Sequence, residues 1–235
     1  MYRPLPKCFV FAGPSLWGME IDHARFPDVA WLPPVRRDDV QNLAASEAPG
    51  CMAIVDGYFD QALAVGHAEI REAVDKGWRV WGLSSMGAIR AYEMRHLGVL
   101  GFGKVYAHFD VEDDFRDDEV ALLHARDRPY RPITEPLVHI RYGLQDLVER
   151  RLLSEADRHT VLDSLMQMWY GERYLEVAER LLASVAGKEL AQRWRADFGR
   201  YRIKSHDLAD FLAFAPWRHA SVDRDMREAL LNGAK

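Results

Sequence analysis

The sequence predicts an α/β fold: a mostly parallel sheet with flanking helices, followed by an all-helical C-terminal extension. Two observations predict it. Short apolar runs alternate with helix-length segments through the first 130 residues or so, and strands joined in that way build parallel sheets. From about Thr134 the strand pattern stops, and apolar residues recur every three and four positions, as in Leu175, Ala178, Leu181 and Leu182. The expected division is an α/β core over residues 7–145 and a helical extension over 146–235 packed on it.

Cys8–Ala12 reads as a buried strand broken by Gly13-Pro14-Ser15, and Val29–Leu32 as a second strand stopped by Pro33-Pro34. Asp38–Glu47 reads as a helix with Val40, Leu43 and Ala44 on one face. Cys51–Val55 is a strand ended by Asp56-Gly57, and Ala64–Lys76 a helix that Gly77 stops. Arg79–Leu83 is the next strand and Ala88–Leu97 the next helix. Lys104–Phe109 reads as a further strand. Thr134 with Pro136 starts a helix, because proline suits the first turn, and Ser154 starts another. Helices are expected over 171–185, 187–199, 205–214 and 222–232.

The 235 residues carry a net charge of -5, which argues against nonspecific nucleic-acid binding. Cys8 and Cys51, the two cysteines, each sit in an apolar run and read as core thiols of a reducing compartment. No apolar run approaches the length of a membrane span, and no signal-peptide pattern opens the chain. A soluble cytoplasmic protein is expected.

In parallel sheets, ligands bind beyond the carboxyl ends of the strands. Gly13-Pro14-Ser15, Asp56-Gly57-Tyr58-Phe59 and Ser84-Ser85-Met86-Gly87 all fall at such ends, so one rim would gather them. Ser84 and Ser85 sit where a strand hands over to a helix, a place suited to a nucleophile beside an oxyanion site. Each satisfies half of the Gly-x-Ser-x-Gly elbow pattern: Gly82 precedes Ser84 by two, and Gly87 follows Ser85 by two. The same hydroxyls would equally suit a helix cap.

Residues 110–119 hold Asp110, Glu112, Asp113, Asp114, Asp117, Asp118 and Glu119. This run suits a solvated acidic loop or a Mg²⁺ site. Helical spacing would place Asp117 and His124 on one face, where a carboxylate could orient an imidazole. His67 begins a helix near the rim, with Glu69 two residues on. Arg90 and Glu93 lie on the helix after Ser85, three apart, the spacing of an ordinary ion pair. There is no zinc-ligand spacing, Gly-x-Gly-x-x-Gly motif or Walker motif.

These motifs in order resemble the TfuA-like core domain. The resemblance rests on Asp56–Phe59, His67–Ile70, Gly82–Glu93, Gly98–Gly103, Asp117–Ala121 with His124, Thr134–Pro136 with Ile140-Arg141, and the opening Phe11–Leu16. It covers about residues 8–145. Two departures stand out: Arg116 occupies the first place of an acidic motif that usually begins with aspartate, and Ala68 stands where the family tends to have lysine.

The resemblance implies a partner of YcaO-type enzymes in making peptide-backbone thioamides, with ATP used by the YcaO enzyme and no cofactor or metal in this chain. It implies a hydrolase that frees sulfide from the thiocarboxylate of a ubiquitin-like sulfur carrier, or a non-catalytic partner that activates the YcaO enzyme or presents its precursor peptide. For the hydrolase, Ser85 is the expected nucleophile, with Ser84 supporting the oxyanion. His67 is the preferred base over His124, which has Asp117 to orient it. Gly13, Ser15, Asp56, Tyr58, Arg90, Glu93, Asp118 and Glu119 are the expected substrate-binding residues.

Overall fold

The structure, a computed structural model, describes residues 7–59, 62–111 and 116–219. The described residues fall into two compact units, one of residues 7–59, 62–111 and 204–219 and the other of residues 116–203. The boundary expected near residue 145 falls inside a helix of the second unit.

The first unit is built on five strands: β1 (Cys8–Phe11), β2 (Val29–Leu32), β3 (Cys51–Ile54), β4 (Arg79–Leu83) and β5 (Leu100–Phe102). All pair in parallel in the order β2-β1-β3-β4-β5. Helices α1 (Asp39–Ser46), α2 (His67–Asp75) and α3 (Met86–Glu93) link successive strands from β2 to β5. The β1–β2 link has no α-helix; it makes two 3₁₀ turns at Pro14–Leu16 and His23–Arg25. Proline in the first of these presets its φ and removes a donor that would have no partner.

Strand side chains alternate between the two faces of the sheet. Gly82 and Gly87 let α3 lie directly on one face: a Cβ on Gly87 would come within 1.7 Å of the Ile54 carbonyl oxygen, and one on Gly82 within 2.0 Å of the Gly87 oxygen. The other face carries Val10, Ala53, Trp81 and Leu83. It is covered by α9 (Ile203–Phe214) and the turn after it, through Leu208, Phe211, Leu212 and Trp217. The Trp217 indole donates to Asp28 Oδ2 (2.7 Å), and the Arg218 guanidinium donates to both oxygens of that carboxylate. Hydrogen bonding from Arg218, with that of Trp217, holds the Asp28 carboxyl below its usual range despite burial.

The expected strand over Lys104–Phe109 is corrected. The strand is β5, and the residues after it form α4 (Gly103–Val111). Val105, Tyr106 and Phe109 suit either period, so the apolar pattern alone does not decide. What decides is a cap from far along the chain: Asp207 of α9 accepts hydrogen bonds from Lys104 N (2.8 Å) and Val105 N (2.9 Å), two of the donors a helix start leaves unsatisfied. Gly103 turns with φ +90°, and a Cβ there would meet the Asp207 carboxyl at 2.3 Å.

The second unit contains α5 (Leu137–Glu149), α6 (Glu155–Met166), α7 (Leu175–Ala186) and α8 (Lys188–Ala196). On α5 the apolar residues Leu137, Ile140, Leu144 and Leu147 recur every three and four positions. They meet Val161 and Leu165 of α6, Leu182 of α7 and Trp194 of α8 in one core. Ser154 caps α6 as expected, its hydroxyl accepting from Asp157 N at 3.1 Å. Cys8 and Cys51 are buried core thiols on paired strands, with Sγ atoms 3.4 Å apart. The helix expected over 222–232 lies outside the described residues, as do Glu112, Asp113 and Asp114 of the acidic run. Among the described residues no helix is long and apolar enough to cross a membrane.

Burial pushes the Asp207 carboxyl up to about 7, against the lowering effect of its two N–H donors. A carboxyl whose folded pKa is raised favours the folded state most when protonated. Stability from this group is therefore full below about pH 4, its unfolded value, and is lost as pH rises through about 7. Chemical denaturation at a series of pH values should show this fall, up to about 1.4 kcal/mol per pH unit within the window. Asp207→Asn should flatten it.

Candidate functional site

The rim anticipated at the carboxyl ends of the strands exists. Gly13 follows β1, Asp56 follows β3 and Ser84 follows β4, all on one edge of a parallel sheet. Because β2 lies on one side of β1 and β3 on the other, the strand order reverses between β1 and β3, where sheets of this order open a ligand crevice. Asp56 stands at that place. Its Oδ2 accepts from Gly13 N (2.8 Å) and Ser15 N (2.9 Å), and its Oδ1 from the Ser15 hydroxyl (2.8 Å). Three of the expected binding residues are thus joined into one buried turn. The Lys204 ammonium of α9, itself buried, lies 3.9 Å from Asp56 Oδ1. Tyr58, just beyond, is half-buried and donates its N–H to the Val35 carbonyl (3.2 Å).

Ser84 is the strained residue of the strand-to-helix turn. It adopts φ +63°, and Ser85 N donates across it to the Leu83 carbonyl at 2.7 Å. A left-handed backbone is costly for a residue with a Cβ and persists only where the surroundings hold it. Here Gly82 and Gly87 on either side allow the close approach of α3 that holds it. The left-handed position therefore belongs to Ser84 and not to Ser85, the residue expected to attack. The Ser84 hydroxyl is fully buried and donates to the Lys204 carbonyl (2.8 Å). Ser85 occupies the N-cap position of α3 without a side-chain capping hydrogen bond, so the plain helix-cap reading fails at both serines.

The structure gathers His67, Arg90 and Glu93 into a second group. His67 Nε2 lies 2.8 Å from Glu93 Oε2, and Arg90 Nη1 donates to the same oxygen at 2.7 Å. Arg90 Nε also donates to the Val65 carbonyl (3.0 Å), tying α3 to the segment before α2. The spacing of Arg90 and Glu93 is the ion pair it suggested, and the imidazole is oriented by Glu93.

The shared helical face of Asp117 and His124 is corrected. Asp117–Glu119 form a single 3₁₀ turn, and His124 lies in an irregular segment bridged to Pro132, its Nδ1 2.7 Å from the Ala125 carbonyl. Asp117 is exposed. Asp118 and Glu119 tie the second unit together. Glu119, fully buried, faces Arg141 at 2.6 Å, and Asp118 accepts from Arg173 at 2.5 Å. Arg173, with no exposed surface, also donates to the carbonyls of Asp118, Leu165 and Met168. Among the described residues no group of three or more His, Cys, Asp or Glu side chains is arranged to hold a metal ion.

Lys204 and Asp207 are invisible to sequence reasoning, since nothing local marks a helix some hundred residues past the rim as part of it. Glu135 and His139 do carry a local signal, because their spacing of four residues is that of a helical pair. Glu135 accepts from Arg202 (2.8 Å) and lies 3.1 Å from His139 Nδ1. Burial pushes its carboxyl up, but His139 and Arg202 outweigh this and hold it below the usual carboxylate range.

Asp56→Asn removes the charge that faces the buried Lys204 ammonium. Breaking a buried pair from one side typically costs about 3–5 kcal/mol. Equilibrium urea unfolding should show a loss of that order. Adding Lys204→Met should recover most of it, because the uncompensated charge is then gone.

No curated protein matches the chain. A family profile described as TfuA-like protein matches residues 56–174, about half of the chain. The match starts at the rim carboxylate Asp56, takes in the Ser84 turn and the His67, Arg90 and Glu93 group, and runs through Asp117–Glu119 to Tyr174. The opening motif at Phe11–Leu16, part of the expected resemblance, lies before it. On this match over half of its length, the chain belongs to the TfuA-like protein family.

Proposed function

We propose that this chain serves peptide-backbone thioamidation as the non-catalytic partner of a YcaO-type enzyme, binding that enzyme or presenting its peptide. The observation that carries this reading is the state of the Ser84 hydroxyl. A serine nucleophile needs an adjacent base to accept its proton. The Ser84 proton is directed at a main-chain carbonyl, that of Lys204, and the hydroxyl has no exposed surface. His67, the preferred base, is engaged with Glu93. Asp56 is spent on three donors of the Gly13–Ser15 turn. These residues hold loops in place, as a rigid binding platform requires. ATP is used by the YcaO enzyme in this scheme.

The strand-to-helix turn favours a second reading. A left-handed serine between a parallel strand and a helix is the backbone arrangement of a nucleophile elbow. In that reading the chain hydrolyses the thiocarboxylate of a ubiquitin-like sulfur carrier and passes sulfide to the YcaO enzyme.

One experiment separates the two. Sulfide is measured after incubating the chain with a thiocarboxylated carrier, and thioamide formation by a YcaO enzyme supplied with free sulfide is measured with and without the chain. The expected result is no sulfide above background, together with stimulation of the YcaO enzyme that survives Ser84→Ala and Ser85→Ala. Sulfide release that either substitution abolishes would overturn the binding reading, since loss of a nucleophile costs several orders of magnitude, about a million-fold in one well-studied protease.

A further inference from the structure

We propose that the β2 edge of the sheet, with the pocket at its carboxyl end, binds an extended peptide. Its main chain adds beside β2 as a further strand, and one apolar side chain enters the pocket. This deepens the binding reading above and rests on it.

Three observations point there. First, β2 is an edge strand, and its sequence Val29-Ala30-Trp31-Leu32 carries no charge and no proline, while all four residues are partly exposed. Edges of folded proteins are blunted by such residues or by shortness, because the free main chain is a template for another strand; β2 is short and stops at Pro33-Pro34, so the edge offers a few residues of main chain only.

Second, the pairing with β1 uses alternate residues of β2. Cys8 N donates to the Asp28 carbonyl (2.9 Å) and Ala12 N to the Leu32 carbonyl (3.1 Å). With Val10 opposite Trp31 in the register, this alternation turns the Trp31 N–H and C=O away from β1. A donor and an acceptor on one residue match the main chain of a peptide.

Third, a cavity of about 440 Å³ opens where β2 ends, within the usual range for ligand sites. Leu32, Pro34, Leu43 and Tyr58 supply apolar walls, Asn42 and Ser46 of α1 supply neutral polar groups, and the Arg36–Asp39 ion pair (3.7 Å) lines it as well. Leu32 belongs both to the edge and to the pocket. A peptide strand alternates its side chains, so one beside β2 would direct every second residue toward this side of the sheet. Main-chain pairing with a side-chain pocket is how strand addition combines affinity with selectivity. A second copy of this chain fits less well. A four-residue edge offers little of the roughly 1,200 Å² that a stable interface buries, and pairing of two β2 edges leaves the pocket unfilled.

The test is a titration of the isotope-labelled full chain, followed by amide NMR. The probes are the blocked pentapeptide acetyl-Gln-Val-Leu-Val-Gln-amide and its analogue with phenylalanine at the centre. Two further forms carry an N-methyl group, one on the central residue and one on the residue before it. The expected result is saturable shifts at Trp31 and Leu43 with at least one unmethylated probe. One of the two N-methyl forms should bind about tenfold or more weakly, the worth of a main-chain hydrogen bond. Leu43→Trp, which fills the pocket, should weaken binding similarly. The methylated probes use the unsubstituted protein, so the test holds if that variant folds poorly.

Absence of shifts with both unmethylated probes up to ~5 mM, the weak end of measurable affinity, would overturn the proposal. So would binding indifferent to both methylations. A mass that doubles with protein concentration, with loss of the Trp31 shifts, would replace the peptide by a second copy. YcaO stimulation is measured beside this with the unsubstituted chain. Stimulation without peptide binding removes this inference alone, and peptide binding without stimulation by the unsubstituted chain removes the YcaO reading alone.

Discussion

A parallel sheet must be covered on both faces, and here the second face is covered by a helix that arrives late. The helices between successive strands lie with α3 on the side of Gly82 and Gly87. The β1–β2 link, which could have placed a helix opposite, makes only short turns. Val10, Ala53, Trp81 and Leu83 would then face water. Instead α9 returns to them with Leu208, Phe211 and Leu212, and Trp217 follows. The rest of the sheet unit depends on this return. Lys204 and Asp207 at the start of α9 reach Asp56, the Ser84 turn and the start of α4, while Trp217 and Arg218 beyond its end hold Asp28. One helix therefore seals the hydrophobic face and also stations polar groups at both edges of the sheet.

Those polar groups share a pattern. Asp56, Asp207 and Asp28 are buried carboxyl groups, and each accepts hydrogen bonds from another part of the chain. In the second unit Glu119 and Asp118 are matched by Arg141 and Arg173 in the same way. A buried charge without such partners would be costly, so each one specifies a single arrangement of its loops. Residues that look like catalytic acids in isolation serve here as anchors.

The Ser84 turn combines geometry of one kind with chemistry of another. Its left-handed backbone and the glycine contact behind it are what exposes a nucleophile in hydrolases. Yet the hydroxyl is covered and hydrogen-bonded to Lys204. Backbone shape alone does not make a nucleophile; a base and access are also needed. The sheet edge at β2 has the opposite character, with the Trp31 main-chain groups turned away from β1, uncharged side chains and a pocket beside them.

Much of this was legible in the residues. The runs at β1 and β3 are continuous and apolar because central parallel strands are buried on both faces; β2 at the edge and β4 are apolar but for Arg79, and the strand ends carry the small residues that the turns require. The rim at Gly13, Asp56 and Ser84, the Arg90–Glu93 pair and the Ser154 cap were readable for the same reason: each depends on neighbours within a few residues or on a strand end. Where tertiary contacts compete with local pattern, the sequence was silent or misleading. Lys104–Phe109 is a helix because Asp207 caps it. Asp117 and His124 do not share a helix face, because Arg141 and Arg173 draw the acidic segment into a single turn and ion pairs. The apolar residues of α9 say that the helix is buried but not against what. Its role was decided only by the bare face of the sheet, which no local spacing records, because burial of that face is a property of the whole chain.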